Sequence, residues 1–373
     1  MCQPQNAQNL CDLRHRWIAF VRIPRLKILQ ISSASSFGGG ERYVTDLTNS
    51  LIARGHDLYL AVRPQSPLPR HVQLPPQKIL TLPLRNALDV PSAHELDRYV
   101  RRWGIEIVHA HMARDYSLAA YAARRTKFVA TRHVLFQLNR LHRHTLARAT
   151  KVIAVSAAVA RELRSQRILN DKQIVVVPNG VDVDRFNCTD ELDLGLPEDC
   201  LLVGSIGELR ALKRHDDFIR AAALVPRAHF VLAGVDPTPS GEVRASLEKL
   251  VVELGLTDRF HFLGWLDHAE RLLCALDVFV SASETESFGL AIAEAMAAGA
   301  AVVATETEGA KEVIEDKKTG ILVPIGDVNA IANAIITLLE NPGEVGLRAR
   351  EAANAKFSLK RMVDEIEKIY NTD

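Results

Sequence analysis

Two carboxylates, Glu286 and Glu294, stand eight residues apart in the stretch S-A-S-E-T-E-S-F-G-L-A-I-A-E-A-M-A-A-G of residues 281–299. A strand-like run at 277–280 precedes them, and a helix is predicted to start near Phe288–Gly289. Glu286 then lies in the loop at the helix mouth, and Glu294 lies about a turn inside. A helix start exposes unpaired backbone N–H groups and the positive end of the dipole, which suits a phosphate. A carboxylate in the same pocket accepts hydrogen bonds from sugar or ribose hydroxyls. The stretch has the parts to hold a nucleoside diphosphate and its sugar. Taken alone, two glutamates fit as well on an amphipathic helix with both acids in solvent, so the surrounding residues decide.

Further candidates lie beyond predicted strand ends. Gly207-Glu208-Leu209-Arg210-Ala211-Leu212-Lys213 links a strand at 201–206 to a helix at 216–224. Arg210 and Lys213 there can neutralise a diphosphate, arginine by bidentate contact, although two exposed surface cations would look the same. Gly38-Gly39-Gly40 links a strand at 27–32 to a helix at 41–54 and permits close backbone approach to an anion. It is not the GxGxxG dinucleotide fingerprint, because Tyr43 falls where the last glycine belongs. His109 and His111 follow one strand, and Arg132 and His133 follow another. His109 reads as a packing residue, whereas His133, directly after a strand at 128–131, is placed to point into a cleft.

Strands and helices alternate on both sides of residues 183–200. Residues 27–182 predict a doubly wound α/β domain, with a proline-dense excursion at 63–91. Residues 183–200 read as a linker, and 201–355 as a second unit of the same class. A closing helix at 356–373 is expected to pack back on the first domain, and residues 1–26 form an extension ahead of it. In such sheets ligands bind beyond the carboxyl ends of the strands, which places a site in the cleft between the domains.

Bulk properties exclude several classes. With 47% hydrophobic and 24% charged residues the chain can bury a large core, and 373 residues suit two domains. A formal charge of +1 gives no basic excess for nucleic acid. No apolar run approaches the roughly 20 residues of a membrane span. Cys2, Cys11, Cys188, Cys200 and Cys274 lack CxxC spacing, which fits reduced thiols in a cytoplasm and neither a disulfide framework nor a zinc site. Residues 137–148 set Arg140, His142, Arg143, His144 and Arg148 among leucines. Such a basic amphipathic stretch can lie on anionic lipid or on a phosphorylated acceptor, or simply face water.

Together these stretches resemble the family 4 glycosyltransferases, retaining enzymes of the GT-B fold, from about Lys27 to the C-terminus. Glu286-Ser287-Phe288-Gly289-Leu290-Ala291-Ile292-Ala293-Glu294 resembles that family's E-x7-E signature. Gly38-Gly39-Gly40-Glu41 is similar to its G-G-x-E element, and Val177-Pro178-Asn179-Gly180-Val181-Asp182 to its domain junction. The resemblance implies two Rossmann-like domains facing each other across a cleft. It implies transfer of a sugar from a UDP-, GDP- or ADP-linked donor to a sugar or lipid-linked acceptor, a cell-envelope glycolipid or polysaccharide intermediate in the family's commonest use. Glu286 would meet the donor sugar, and Glu294 the ribose. Lys213 with Arg210 would stabilise the departing diphosphate, helped by Gly38, Gly39 and the backbone of Phe288, Gly289 and Leu290. His133 would bond the transferred sugar. One position departs from the pattern: Glu208 stands where the family usually carries arginine.

No cofactor and no metal are implied, since cations and helix N–H groups can hold the phosphates; Asp182-Val183-Asp184 reads as a structural junction. The expected location is the cytoplasm, with peripheral contact to the membrane surface, and no nucleic-acid partner is expected. A nucleotide-sugar epimerase on the same fold and a non-catalytic sugar-nucleotide or glycan-binding protein are the alternatives.

Overall fold

The computed structural model describes residues 25–186, 192–197 and 200–372, so most of the expected extension and parts of the linker lie outside the described residues. The chain begins with β1 (Lys27–Ser32), α1 (Gly39–Ala53), β2 (Asp57–Val62), β3 (Ile79–Thr81) and α2 (Val90–Trp103). It continues through β4 (Ile107–Ala110), α3 (Tyr116–Ala122), β5 (Lys127–Arg132), α4 (Arg140–Leu146), β6 (Lys151–Ala154), α5 (Ala157–Ser165) and β7 (Ile174–Val176). These strands form one all-parallel sheet in the order β3-β2-β1-β4-β5-β6-β7. Their apolar runs are buried on both faces, as a parallel sheet covered by helices requires.

A second set follows with β8 (Leu201–Ile206), α6 (His215–Ala223), β9 (Ala228–Ala233), α7 (Glu242–Glu253), β10 (Phe260–Gly264) and α8 (Ala269–Ala275). Then come β11 (Val278–Ser281), α9 (Leu290–Ala298), β12 (Ala301–Thr305), α10 (Glu308–Val313) and β13 (Ile321–Val323). Helices α11 (Val328–Glu340), α12 (Pro342–Lys356) and α13 (Leu359–Asn371) end the chain. The second sheet runs β10-β9-β8-β11-β12-β13, again parallel throughout. In both sheets the order reverses beside the first strand, between β1 and β4 and between β8 and β11. Those two switch points are where doubly wound sheets open a crevice.

Local chemistry moves several boundaries. The helix expected from Phe288–Gly289 starts at Leu290, because Gly289 sits at φ +89° as its N-cap, a conformation costly for any other residue. The basic helix expected over 137–148 is shorter, since Asn139 caps α4 by accepting from the His142 N–H at 2.9 Å. The closing helix expected over 356–373 starts at Leu359, where Ser358 caps it, and α12 ends before it at Lys356. The reduced-thiol reading is corrected at Cys274, which is disulfide-bonded. Sequence spacing carries no information on which cysteines meet in space. Cys200 is free; Cys2, Cys11 and Cys188 lie outside the described residues.

The chain crosses between the sheets twice, and the two crossings pair. Val181 N–H donates to the Phe357 carbonyl at 2.7 Å, and Leu359 N–H donates to the Val181 carbonyl at 2.8 Å. A Cβ on Gly180 would stand 2.7 Å from the Leu359 Cα, so glycine is required for that approach. Helix α13 then lies against α1 of the first domain and buries Met362, Val363, Ile366, Ile369 and Tyr370. Each is worth roughly 1.5–3 kcal/mol of transfer energy, the usual value for a fully buried large apolar side chain.

Candidate active site

Both switch points open into one cavity of about 330 Å³ between the domains. Gly38, Gly39 and Arg42 line it from the start of α1, and Gly207, Glu208, Lys213 and His215 from the loop after β8. The loop after β11 adds Ser283 and Glu286, and the first turns of α9 add Gly289, Leu290, Ala291 and Glu294. Six candidate positions thus line one cavity with Glu294: Gly38, Gly39, Lys213, Glu286, Gly289 and Leu290. The domains come close here, since a Cβ on Gly39 would lie 3.7 Å from the Leu290 side chain.

Glu286 and Lys213 form the centre of the site. Lys213 Nζ donates to Glu286 Oε1 at 2.5 Å, and the Ser283 hydroxyl donates to the same oxygen at 2.8 Å. Thr305 fixes the loop by donating to the Ser283 carbonyl at 2.5 Å. The two loops are sewn together where Glu284 N–H donates to the Leu212 carbonyl at 2.8 Å. Helix α10 holds the Glu286 backbone, because Gly309 N–H donates to the Glu286 carbonyl at 2.9 Å. A side chain at 309 would collide, its Cβ falling 2.6 Å from the Phe288 nitrogen.

Glu294 stands one helical turn deeper, partly open to the cavity. Burial pushes its carboxyl up to about 7, against Arg42 and Arg185, which pull it down; Asp46 and Glu270 push the same way as burial. Asp46 is likewise raised to about 6 by burial, and Arg185 bridges it at 3.8 Å and Glu270 at 3.3 Å. Arg42, Asp46 and Arg185 were not singled out in the sequence. Arg42 follows the glycines by one helical turn, a signal that was legible; Arg185 comes from the interdomain turn and had none.

Three candidates fall outside this cavity. Arg210 is turned away, its Nε donating to Glu208 Oε2 at 2.6 Å, and it borders a separate groove between α6 and α7. The acid at the departing position thus captures the nearest arginine and itself faces the cleft. Phe288 is buried, stacked edge-on against Phe357 at 5.5 Å, because an apolar ring packs inward from a loop whose backbone is tied to α10. His133 lies under α1, its ring 4.8 Å from Tyr43 and 5.8 Å from His111. Its Nε2 is buried and has no partner among the described residues. Burial, with Arg132 adding to it, lowers its pKa to about 3, so the imidazole is neutral at any working pH. His109 does pack: its nitrogens contact Tyr370 and Thr131 hydroxyls, both at 2.7 Å.

Two family models divide the chain between them. Residues 37–185 match "Glycosyltransferase Family 4" and residues 189–356 match "Glycosyl transferases group 1". An N-acetyl-α-D-glucosaminyl L-malate synthase from Bacillus anthracis is 30% identical, over 93% of this chain and 97% of that protein. This chain belongs to the family 4 glycosyltransferases. The lipopolysaccharide core biosynthesis glycosyltransferase LpsE of Rhizobium meliloti (strain 1021) is a further relative, 29% identical over 88% of this chain and 94% of its own. Among solved structures, Anabaena Alr3699/HepE in complex with UDP and glucose superposes with a TM-score of 0.81. At 20% identity, over 92% of this chain and 99% of that one, it shows the shared fold. This glycosyltransferase therefore carries two parallel-sheet Rossmann-like domains, with Glu286 and Glu294 on the second domain's wall of the cleft.

Proposed function

We propose that this glycosyltransferase moves a sugar, with retention of configuration and without a metal, from a UDP-, GDP- or ADP-linked donor. The acceptor is a sugar or lipid-linked hydroxyl, in our reading a cell-envelope glycolipid or polysaccharide intermediate. The lipopolysaccharide-core role of the Rhizobium relative supports this acceptor, as UDP and glucose in the Anabaena structure support the donor. The chain would work in the cytoplasm, at the membrane's inner surface. No helix among its described residues is long and apolar enough to cross a membrane.

The observation that carries this reading is the Lys213–Glu286 pair at the mouth of α9. A bound donor separates the pair. Its diphosphate takes Lys213, the first N–H groups of α9 and the approach at Gly38 and Gly39. Its sugar hydroxyls take Glu286, and its ribose takes Glu294. The bond between sugar C1 and the phosphate oxygen breaks with its electron pair going to the diphosphate, where Lys213 and the helix end meet the growing charge. Retention puts the acceptor hydroxyl on the leaving group's face. Its oxygen bonds C1, and the nearest base for its proton is the departing phosphate. His133, neutral and with Nε2 unpaired, suits a hydrogen bond to the transferred sugar once the domains close. Closure also excludes water, which favours transfer over hydrolysis.

A panel of nucleotide sugars tests this. The expected result is donor binding by calorimetry and slow donor hydrolysis, with kcat falling about 100-fold or more in Glu286→Ala and Lys213→Ala, the scale of one lost charge-stabilising contact. Binding to none of the donors would sink the proposal, and sugar isomerisation without acceptor would replace it with epimerisation.

A further inference from the structure

The longest stretch of one charge sign in this near-neutral chain lies in the first domain. Residues 116–161 contain no aspartate or glutamate, yet they carry nine lysines and arginines. Near the ends of the run cations find partners: Arg124 pairs with Asp97 at 2.8 Å and Arg161 with Glu308 at 2.6 Å. In the middle they do not. Arg140, Arg143 and Arg148 have no carboxylate within ion-pair distance among the described residues, and Arg143 donates only to the Leu138 carbonyl at 3.1 Å.

Apolar side chains project among these cations. Phe136 is 62% exposed, and Val134 and Leu141 are each 37% exposed. A firm scaffold holds them: Leu138 and Leu146 are buried beneath, Asn139 caps α4, and Arg132 donates to the Phe136 carbonyl. The segment leaves the carboxyl end of β5, the same edge of the sheet from which the glycine loop after β1 faces the cleft.

We propose that residues 134–148 dock on an anionic lipid bilayer. Phe136, Val134 and Leu141 enter the headgroup boundary, while Arg140, Arg143 and Arg148 meet lipid phosphates. Cations alone would fit any polyanion; exposed apolar groups interleaved with them along the chain fit a surface with an apolar layer under its phosphates. The inference sharpens the lipid-linked acceptor reading, because the bilayer would lie beside the cleft mouth, but the contact needs neither donor nor turnover.

Vesicle sedimentation of the full chain tests it, comparing phosphatidylcholine alone with a mixture holding roughly 30% phosphatidylglycerol, a strongly anionic surface. The expected result is binding to the anionic vesicles only, weakening as salt rises and the Debye length shrinks. Phe136→Ser, and separately Arg140→Ser with Arg148→Ser, should each lower the bound fraction about fivefold or more, the scale of removing an apolar anchor or two surface cations. Thermal midpoint and donor affinity should stay unchanged, since these side chains are exposed. Failure of wild type to bind overturns the proposal. So does full binding by Phe136→Ser, or tighter binding to a single-stranded polynucleotide through the same residues. Loss of donor binding with vesicle binding intact would count against glycosyl transfer and leave this contact standing.

Discussion

At the scale of single residues, Glu294 sets stability against function. Its carboxyl ordinarily titrates near 4.5 and is raised to about 7, chiefly by burial. Between those values the folded chain keeps a proton that the unfolded chain has lost, so this group's contribution to stability falls as pH rises through that window. Glu294→Gln should raise the melting temperature at pH 8, by the equivalent of about 2 kcal/mol, and change little at pH 4. Donor affinity should move the other way. Ribose hydroxyls donate best to the ionised acid, so wild-type KM for donor should fall as pH rises through about 7, and the variant should lose that dependence. Calorimetric melts and initial rates across pH 5–9 check both, and a flat wild-type profile would disprove the assignment. The two acids were legible in sequence because eight residues and a helix start fix their relation. Arg210 was misleading because the preference of one side chain for Glu208 over solvent is not written in spacing.

At the scale of elements, the loop that carries Glu286 is shaped by the start of α10. Gly309→Ala puts a methyl against the Phe288 nitrogen and Glu286 carbonyl. It should destabilise by about 1–3 kcal/mol, the usual cost of forced overpacking, and lower kcat because Glu286 shifts. Unfolding in urea together with steady-state rates would show this, and an unchanged kcat would free the loop from α10. The same helix reaches across to the first domain, where Glu312 accepts the Ala157 and Ala158 N–H groups of α5 at 2.7 and 2.6 Å. Glu312→Ala removes this carboxylate from a helix N-terminus, so amide exchange at Ala157 and Ala158 should quicken while the strand cores stay protected. Nothing in the sequence announced this contact. A cap within one segment, such as Ser156 accepting the Val159 N–H of α5, depends on its own few residues; a cap supplied from 155 residues away is a product of tertiary folding alone.

For the whole molecule, the alternation of strands and helices disclosed both sheets, because each buried parallel strand is a short apolar run and each crossover repeats. The facing domains and the return of the last helix were expected; the paired crossings at Val181 and Ser358 that fix them were not, because they join residues nearly 180 positions apart. That helix also delivers Glu367, which pairs with Arg54 at 2.5 Å and His56 at 2.8 Å. Glu367→Ala leaves buried His56 without its partner, while half-buried Arg54 keeps Asp364 at 2.7 Å, so it should cost about 1–3 kcal/mol, with the loss felt in the first domain's melting. Differential scanning calorimetry would detect it as a lowered transition, and an unaltered trace would show that α13 is dispensable there. The return of α13 has a consequence for biosynthesis. Residues 359–371 complete the core of a domain whose first strand left the ribosome more than 300 residues earlier. The second sheet can close before residues 359–371 are made; the first domain's core cannot. Order of synthesis and order of completion are therefore reversed, and chains stalled just before Leu359 should resist protease in their second half and be cut in their first.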